Sequence, residues 1–311
     1  MIQVKEIETY KDYGKCVSIS NGIIEAYVTV DIGPRIIRFG YVGGQNFMND
    51  NRQLFPPEPY NKEYTDFFGE NRRWENFGGH RIWLSPESYP ETYLPDDRPV
   101  AYEITENGAI FTPLADTQVG VQKYLEIKMD KDDTNMQVEM RVKNISGKTK
   151  EFAVWALSVC SQDGTLIIPT NTNNTGLLPN RFMAIWPYTD IRDNRIYIGN
   201  KYVTVFQDKN AKNPFKLGFN LNAGNAYYVL GEEILCKKYE TNHKNGVYPD
   251  GGCSFETYCC AQMIEFETLG QLKVLEDGQT SEHIEHWSLC KKPCFVDFKD
   301  DNSIDNFLSN I

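Results

Sequence analysis

The sequence predicts an all-β protein built from packed antiparallel sheets, with very little helix. Runs rich in β-branched and aromatic residues recur along it, and aromatic side chains make up 13% of its 311 residues. Many runs alternate apolar and polar residues, as in Val138–Val142, which gives a strand one dry face and one wet face. Turn pairs such as Asn21-Gly22 and Asn107-Gly108 separate the runs. These features favour packed sheets over an alternation of strands and helices.

In chain order, the runs with strand character are Val17–Asp31, Arg35–Tyr41, Ala109–Pro113, Val121–Met129, Met136–Val142, Glu151–Cys160, Thr165–Ile168, Arg195–Ile198, Val203–Phe206, Ala226–Leu230, Phe255–Thr268 and His283–Leu289. A Gly-Gly-His-Arg strand is also predicted at 78–81. Only the last turns, from a cap at Asn302 or Ser303 to Leu308, have the pattern of a helix. No linker or repeat divides the chain, so we expect one domain over residues 1–311.

The charge balance makes some partners unfavourable. The chain has 32 Lys and Arg against 43 Asp and Glu, a formal net charge of −11. Because a negative field repels phosphate backbones and anionic lipids, we expect neither nucleic acid nor a membrane as partner. The composition fits a soluble protein that handles a neutral small molecule, and it predicts no oligomeric state.

The start of the chain has no apolar signal core, and no stretch approaches the ~18–20 apolar residues of a membrane span. We therefore expect a cytoplasmic protein whose eight Cys are reduced thiols. Cys259 and Cys260 would point to opposite faces of a strand, which suits packing better than metal binding. No phosphate loop or zinc motif occurs, so no metal or cofactor is expected.

The stretch from Trp74 to Glu87 carries the first candidate site. It places Gly-Gly-His-Arg between two tryptophans, Trp74 and Trp83. The glycines let the backbone approach a ligand or a neighbouring strand. His80 is an acid–base group and Arg81 a fixed cation, and with an aromatic platform they suit a sugar site. The alternative is a surface His and Arg beside core Trp. The preceding segment, Asn49–Trp74, is irregular and rich in Pro, Tyr and Phe, so we expect it to form one wall of the same cleft.

Two further turns deliver polar side chains. Gly33-Pro34 leads into Arg35, for which a buried, paired arginine is the slightly favoured interpretation. Trp186-Pro187-Tyr188-Thr189-Asp190 is a polar, aromatic turn suited to recognising hydroxyl groups. Its alternative is a surface turn stabilised by a local pair between Asp193 and Arg195.

Acidic residues concentrate near the end of the chain. Asp250 and Glu256 precede a strand in which Glu265 and Glu267 share a face, about 6–7 Å apart. Two carboxylates so placed repel each other, so one pKa should be raised toward the range of a general base. The alternative is that both face solvent on an outer strand. Among basic residues, Lys216, Lys237 and Lys238 are candidates to hold a phosphate group of the ligand.

Four motifs, in this order, resemble those of one superfamily. Gly33–Ile36 is similar to its Gly-Ala-Arg-Ile strand, and 78–83 lies where hexose-phosphate epimerase relatives carry a Gly-Gly motif. Ile264–Thr268 resembles the Leu-Glu-Thr-Gln strand that bears the mutarotase base, which maps that role to Glu267. Leu275–Gln279, followed by the last strand, is similar to the closing turn. The chain thus resembles the galactose mutarotase-like (aldose 1-epimerase) superfamily, most closely an uncharacterised branch (DUF4380).

The resemblance implies a β-supersandwich that binds a sugar or sugar derivative. If catalytic, it would interconvert aldose anomers: Glu267 would remove the anomeric hydroxyl proton while His80 protonates the ring oxygen. His80, Arg81, Trp83 and Glu267 should then line one cavity. The predicted substrate-binding residues are Arg35, Arg81, Trp83, Trp155, Tyr188, Asp190, Lys216, Asp250, Glu256 and Glu265.

One departure keeps two other functions open. Mutarotases carry a His in the central strand, whereas the comparable run here, 154–161, has none. The chain is therefore also compatible with a non-catalytic sugar binder, sensor or accessory protein. A third possibility is a polysaccharide lyase-like or other sugar-processing activity, because this fold hosts several functions.

Overall fold

The structure is a computed structural model that describes residues 1–309 and 311. In that part of the chain, two large antiparallel sheets account for nearly all regular structure, and the two α-helices are α1 (Lys62–Phe68) and α2 (Asp301–Leu308). Single 3-10 turns lie at Lys11–Tyr13 and Arg52–Leu54. The strands are β1 (Gln3–Ile7), β2 (Cys16–Ser20), β3 (Ile24–Thr29), β4 (Ile36–Tyr41), β5 (Gly79–Ser85), β6 (Val100–Thr105), β7 (Gly108–Pro113), β8 (Val121–Met129), β9 (Asn135–Asn144), β10 (Lys150–Cys160), β11 (Thr165–Pro169), β12 (Met183–Ile185), β13 (Ile196–Ile198), β14 (Tyr202–Phe206), β15 (Phe215–Phe219), β16 (Asn225–Leu230), β17 (Glu233–Tyr239), β18 (Phe255–Cys259), β19 (Ile264–Leu269), β20 (Lys273–Leu275) and β21 (Thr280–Lys291).

The first sheet, called sheet A, has the order β1-β2-β3-β4-β5-β10-β19-β18-β15-β12, with β20 pairing to the end of β10. The second, sheet B, has the order β13-β14-β11-β16-β17-β21-β9-β8-β7-β6. The chain crosses between the sheets several times, so strands far apart in sequence become neighbours. This topology sets β5, β10, β19, β18 and β15 side by side in sheet A, where the candidate site lies.

The main core fills the space between the two sheets. Ile36 and Phe39 of sheet A, and Val138 and Trp287 of sheet B, are fully buried there. The rings of Phe39 and Trp287 meet edge to face, with 5.1 Å between their centroids. Burying one such large apolar side chain contributes about 1.5–3 kcal/mol relative to exposing it, so the contacts between the two sheets stabilise the fold.

The predicted all-β class is confirmed, and each predicted run coincides with an observed strand or pair of strands. Val17–Asp31 is a hairpin that turns at the predicted pair Asn21-Gly22, because Asn21 Oδ1 accepts the N–H groups of Ile23 (2.8 Å) and Ile24 (2.9 Å) and Gly22 has φ 91°. Phe255–Thr268 likewise divides into β18 and β19.

Sequence patterns missed β1, β6, β12, β15, β17 and β20. Two of them explain why: β15 carries Lys216 and β17 carries Lys237, and both lysines are buried. Because lysine side chains are normally solvated, a lysine in a short run of residues does not predict a strand that is buried on both faces.

The helices also differ from the prediction. Within the segment expected to be irregular, α1 forms because the Asn61 side chain caps it by accepting the N–H of Tyr64. Tyr64 and Phe68 then lie one turn apart and are buried together. At the other end, α2 is capped by Asp300, two residues earlier than expected. No helix among the described residues is long and apolar enough to cross a membrane.

Candidate functional site

The outer face of sheet A, turned away from the core, forms the floor of a cleft. Strand pairing places Trp83 opposite Trp155, and Leu157 between Arg81 and Glu267. Glu256 pairs with Glu267 on the next strand. Because side chains alternate along a strand, the residues two positions away share this face. Nine residues therefore face outward together: Arg81, Trp83, Trp155, Leu157, Lys216, Glu256, Tyr258, Glu265 and Glu267.

The segment 49–74 covers this floor and encloses a cavity of about 760 Å³, the main lobe. Leu54, Phe55, Tyr60, Tyr64 and Trp74 all line it, in agreement with the wall expected from the sequence. A volume of this size lies within the ~300–1,000 Å³ range of small-molecule sites.

A cluster of aromatic rings forms one wall. Trp83 lies at its centre, with ring centroids 5.9 Å from Trp74, 5.0 Å from Tyr93 and 5.4 Å from Trp155. The indole N–H groups of Trp74 and Trp83 are buried and have no hydrogen-bond partner. The cluster is a rigid apolar surface of the kind that receives the C–H face of a ring-shaped ligand.

A smaller cavity of about 390 Å³, the side lobe, continues from the main lobe. Pro86, Trp186 and Asp250 line the side lobe alone. The two lobes share Glu87, Tyr89, Tyr93, Trp155 and Lys216. The cleft is therefore elongated, with Trp155 and Lys216 at the junction.

Arg81 is the first of two cations in the floor. Its guanidinium lies 3.3 Å from Glu265 Oε1, donates to Asn76 Oδ1 at 3.0 Å and stacks 4.1 Å from the Trp83 ring. The residue is 2% exposed, and its Nε has no partner. A buried guanidinium held on three sides is fixed in position and presents its remaining donor direction without further ordering.

Lys216 is the second cation. Its ammonium lies between two indoles, 4.4 Å from the centroid of Trp155 and 4.7 Å from that of Trp186. Below it are Glu256 at 2.8 Å and Glu267 at 3.6 Å. Burial opposes its charge, but the two carboxylates outweigh burial and raise the pKa of Lys216. Lys216 is thus a permanent cation at the junction of the lobes.

Three carboxyl groups face these two cations, and all three have a raised pKa. Burial, followed by repulsion from Glu267, raises the pKa of Glu265 to about 8. Burial raises the pKa of Glu267, opposed by Lys216 and by the Trp155 indole. Burial and Glu267 raise the pKa of Glu256 well above its usual range. The cluster therefore retains a proton at neutral pH, as the predicted repulsion between paired carboxylates requires.

Glu267 lies one layer below the cleft surface. It is fully buried and accepts a hydrogen bond from Trp155 Nε1 at 2.8 Å, while its Oε1 has no partner. Glu265, by contrast, lines the main lobe. Ligand reaches Glu265 directly but reaches Glu267 only when Trp155 or Lys216 moves.

The expectation that His80 shares a cavity with Glu267 is wrong. His80 points to the opposite face of β5, into the core between the sheets, where it is fully buried. Its Nδ1 is 2.8 Å from Ser158 Oγ and its Nε2 is 3.3 Å from the Met140 sulfur. Burial lowers the pKa of His80 to about 3, so the imidazole is neutral. Neighbouring residues of a strand face opposite ways, so Arg81 and His80 could not both reach the cleft.

The Gly-Gly pair serves strand packing. A Cβ on Gly78 would lie 2.2 Å from Asn49 O, and one on Gly79 would lie 2.6 Å from Ile36 O. The φ angles are also positive, 74° and 65°. Both glycines are therefore required by the close approach of the neighbouring backbone and not by a ligand.

Two other predicted binding residues lie away from the cleft. Arg35 is fully buried, lies 3.0 Å from Asp96 and stacks on Phe77, so it is the buried, paired arginine that the sequence slightly favoured. Asp190 is exposed and pairs with Arg192 at 3.0 Å. Tyr188 lines the main lobe and Asp250 the side lobe, where it lies 3.4 Å from Ser85 Oγ.

Sequence reasoning missed several lining residues, including Asn76, Tyr93 and Tyr258. The sequence could have predicted Tyr258, because this residue lies two positions after Glu256 and so on the same face of the strand. Tyr93 gives no such signal, since it reaches the cleft from a loop and donates to Glu87. Within residues 1–309 and 311, no group of three or more His, Cys, Asp or Glu side chains is arranged to hold a metal ion.

No known family model and no curated protein sequence matches this chain. Its fold is similar to solved structures at low identity. A TPR-domain containing protein from Parabacteroides distasonis has a TM-score of 0.59 at 12% identity over 91% of this chain. This chain spans about half of that protein, 48% of its length.

Two further solved structures cover nearly the whole chain. A candidate aldose 1-epimerase from Klebsiella pneumoniae has a TM-score of 0.59 at 10% identity, covering 93% of this chain and 84% of its own. A galactose mutarotase-like protein from Clostridium acetobutylicum has a TM-score of 0.54 at 11% identity, covering 93% and 99%. At these identities the likeness shows the fold alone: the chain has a galactose mutarotase-like β-supersandwich.

Proposed function

We propose that this chain binds a carbohydrate in its cleft. The observation that carries the proposal is the combination of an aromatic wall around Trp83 with a floor that holds Arg81, Lys216 and Glu265. Sugars offer both an apolar C–H face and a ring of hydroxyl groups. An aromatic surface matches the first, and charged donors and acceptors in a buried floor match the second. The sugar-related names of two fold neighbours, from Klebsiella pneumoniae and Clostridium acetobutylicum, support the same ligand class.

The direct test is to measure binding, by saturation-transfer NMR or calorimetry, to a panel of hexoses, amino sugars and hexose 6-phosphates. Trp74→Ala should weaken every sugar that binds, because it removes part of the aromatic wall. Phe295→Ala is the matched control, since that ring is 90% exposed and lies outside the cleft. If no sugar in the panel binds, or if both variants lose affinity equally, the proposal is wrong.

Anomer interconversion is the second candidate, and the paired Glu265 and Glu267 favour it. Ring opening needs a base for the anomeric hydroxyl proton and an acid for the ring oxygen, while the bond between C1 and the ring oxygen breaks. Glu267 is the proposed base, which requires that Trp155 or Lys216 move to bring its carboxylate into contact with the sugar. Since His80 is excluded by its position, Glu265 is the proposed acid: a carboxyl with a pKa near 8 is protonated at neutral pH.

Glu267→Gln separates the two candidates, because it keeps the shape of the side chain and removes its basicity. An epimerase should lose about two orders of magnitude in anomer exchange rate, the usual scale for a general base, with little change in affinity. Exchange NMR or polarimetry of freshly dissolved α-hexoses measures the rate, with Glu282→Gln, on the exposed side of β21, as control. Sugar binding without any acceleration by the wild type would leave the non-catalytic binder.

A single domain over 1–311, the uncharacterised branch of the superfamily, a cytoplasmic location and the lyase-like alternative stay predictions from the sequence.

A further inference from the structure

The cleft is longer than a single sugar ring needs. The main lobe of about 760 Å³ opens into the side lobe of about 390 Å³, and the two share five lining residues. The main lobe alone has the volume of a site for a drug-sized ligand, and a hexose is smaller than such a ligand. A monosaccharide would leave the side lobe unfilled.

Each lobe has its own aromatic platform and its own polar groups. Trp74 and Trp83 serve the main lobe, together with Arg81 and Glu265. Trp186 serves the side lobe together with Asp250, whose carboxylate is close to Ser85 Oγ. A repeated set of platform and hydroxyl partner is the arrangement that successive sugar units require.

The junction suits the bond between two units. Lys216 lies there between the indoles of Trp155 and Trp186, with Glu256 and Glu267 beneath it. An ammonium has three donors. Lys216 Nζ forms ion pairs with Glu256 at 2.8 Å and Glu267 at 3.6 Å, and the residue lines both lobes, so its ammonium can also donate to an oxygen of a ligand that spans the junction.

We propose that the ligand is an oligosaccharide, with one sugar unit in the main lobe, the next in the side lobe, and the glycosidic linkage above Lys216. This inference rests on the proposed carbohydrate binding and specifies its ligand class. The neighbouring carboxylates also make a chain of neutral units a better match than a multiply phosphorylated one, because they repel added negative charge.

Affinity as a function of chain length tests the inference. The probes are glucose, cellobiose and cellotriose; glucose, maltose and maltotriose; and galactose with lactose, each titrated by calorimetry. In at least one series the disaccharide should bind roughly three- to tenfold more tightly than its monosaccharide, the effect of one added aromatic contact. A third unit should add little, since the cleft has two lobes.

Variants of the side lobe locate the gain. Trp186→Ala should lower the ratio of disaccharide to monosaccharide affinity to about one. Asp250→Asn is the second, milder variant: Asn accepts the positive φ of 52° found at this position, so the fold is retained and the ratio should also fall. Trp74→Ala should weaken both ligands while keeping the ratio.

Each remaining outcome has a distinct meaning. Equal affinity for monosaccharides and longer sugars overturns the oligosaccharide inference and leaves carbohydrate binding intact. A length-dependent gain that survives both Trp186→Ala and Asp250→Asn overturns the placement of the second unit. Failure of every probe to bind overturns the oligosaccharide inference; the proposed function falls with it only if the amino sugars and hexose 6-phosphates of the first panel also fail to bind.

Discussion

The two faces of the central strands in sheet A each carry a cluster of charged groups, and the clusters differ in how well they are satisfied. On the outer face, Arg81 and Lys216 meet Glu256, Glu265 and Glu267. Acceptor atoms remain without partners there, including Glu267 Oε1. The outer cluster has more carboxyl groups than cations and borders a cavity.

On the inner face, between the sheets, the cluster is closed. Lys237 donates to Ser158 Oγ at 2.8 Å and to Glu285 Oε1 at 3.2 Å. Glu285 also accepts from Thr268 at 2.6 Å and from the Trp287 indole at 2.7 Å. His80 completes the network through Ser158. One cation meets one carboxylate, and each has several hydrogen bonds.

The difference teaches how to separate a structural polar cluster from a candidate site in the same sheet. Charged groups in a dry interior persist only when paired and hydrogen-bonded, which is the state of Lys237 and Glu285. In the outer cluster, Glu256 and Glu267 keep carboxylate oxygens without a hydrogen-bond partner, and Glu265 lines the cavity, where a ligand can contact it. Burial alone does not distinguish the two clusters, because both are almost inaccessible to solvent.

The largest effect should follow from opening the inner cluster. Lys237→Met removes the cation and leaves the buried Glu285 carboxylate without a compensating positive charge from Lys237, so the free energy of unfolding should fall by about 3–5 kcal/mol. Denaturant unfolding followed by fluorescence measures it. Lys62→Met is the matched control, since Lys62 forms an exposed pair with Asp66 at 2.5 Å and its loss should not be measurable. A small effect of Lys237→Met would mean that the inner cluster is not closed.

Removing a cation from the outer cluster should affect binding more than folding. Without Arg81 the Glu265 carboxyl is accommodated by protonation, because its pKa is already near 8. Arg81→Met should reduce sugar affinity roughly ten- to hundredfold, as expected for loss of a hydrogen bond to a charged group, about 1.5–3 kcal/mol. The control is Arg192→Met, at an exposed arginine outside the cleft. Unchanged affinity in Arg81→Met would remove Arg81 from the site.

The two clusters should respond to pH in opposite directions. The pKa of Glu265 is raised from 4.5 to about 8, so the folded state binds the extra proton between these values. Stability should therefore fall as pH rises through this window, by up to about 1.4 kcal/mol per pH unit for one group. For Glu285, burial opposes ionisation, but Lys237 and the nearby histidines hold its pKa below 4.5. Its contribution is present above pH 4.5 and is lost as pH falls.

Glu265→Gln isolates the first of these slopes. The free energy of unfolding, measured by denaturant titration at several pH values from 5 to 8, should decrease less with pH in the variant than in the wild type. Parallel curves for the two proteins would show that Glu265 ionises normally.

The smallest effect on binding is expected at His80. Since His80 faces the inner cluster and not the cleft, His80→Gln should change sugar affinity by less than about twofold, the small effect expected of a substitution away from the binding site. The melting temperature should fall, because Ser158 and the buried pair lose a well-placed partner. A large loss of affinity with unchanged stability would return His80 to the site and contradict the separation of the two faces.

Much of the fold could be predicted from local patterns. Alternation and turn chemistry located most strands, including the hairpin turn at Asn21-Gly22, because both signals depend only on near neighbours. The same alternation correctly put Glu265 and Glu267 on one face and implied a raised pKa. It also separates His80 from Arg81, a consequence that motif similarity concealed.

The tertiary structure decided which face borders a cavity and which charges meet. Lys216 and Glu267 are 51 positions apart in the printed sequence, and they meet only because β15, β18 and β19 become neighbours in sheet A. Lys237 is buried only because sheet B packs over sheet A. By itself the sequence determines the periodicity of each strand, since that follows from backbone geometry. The partners of a buried charge depend on strand order and sheet packing, which local patterns do not encode.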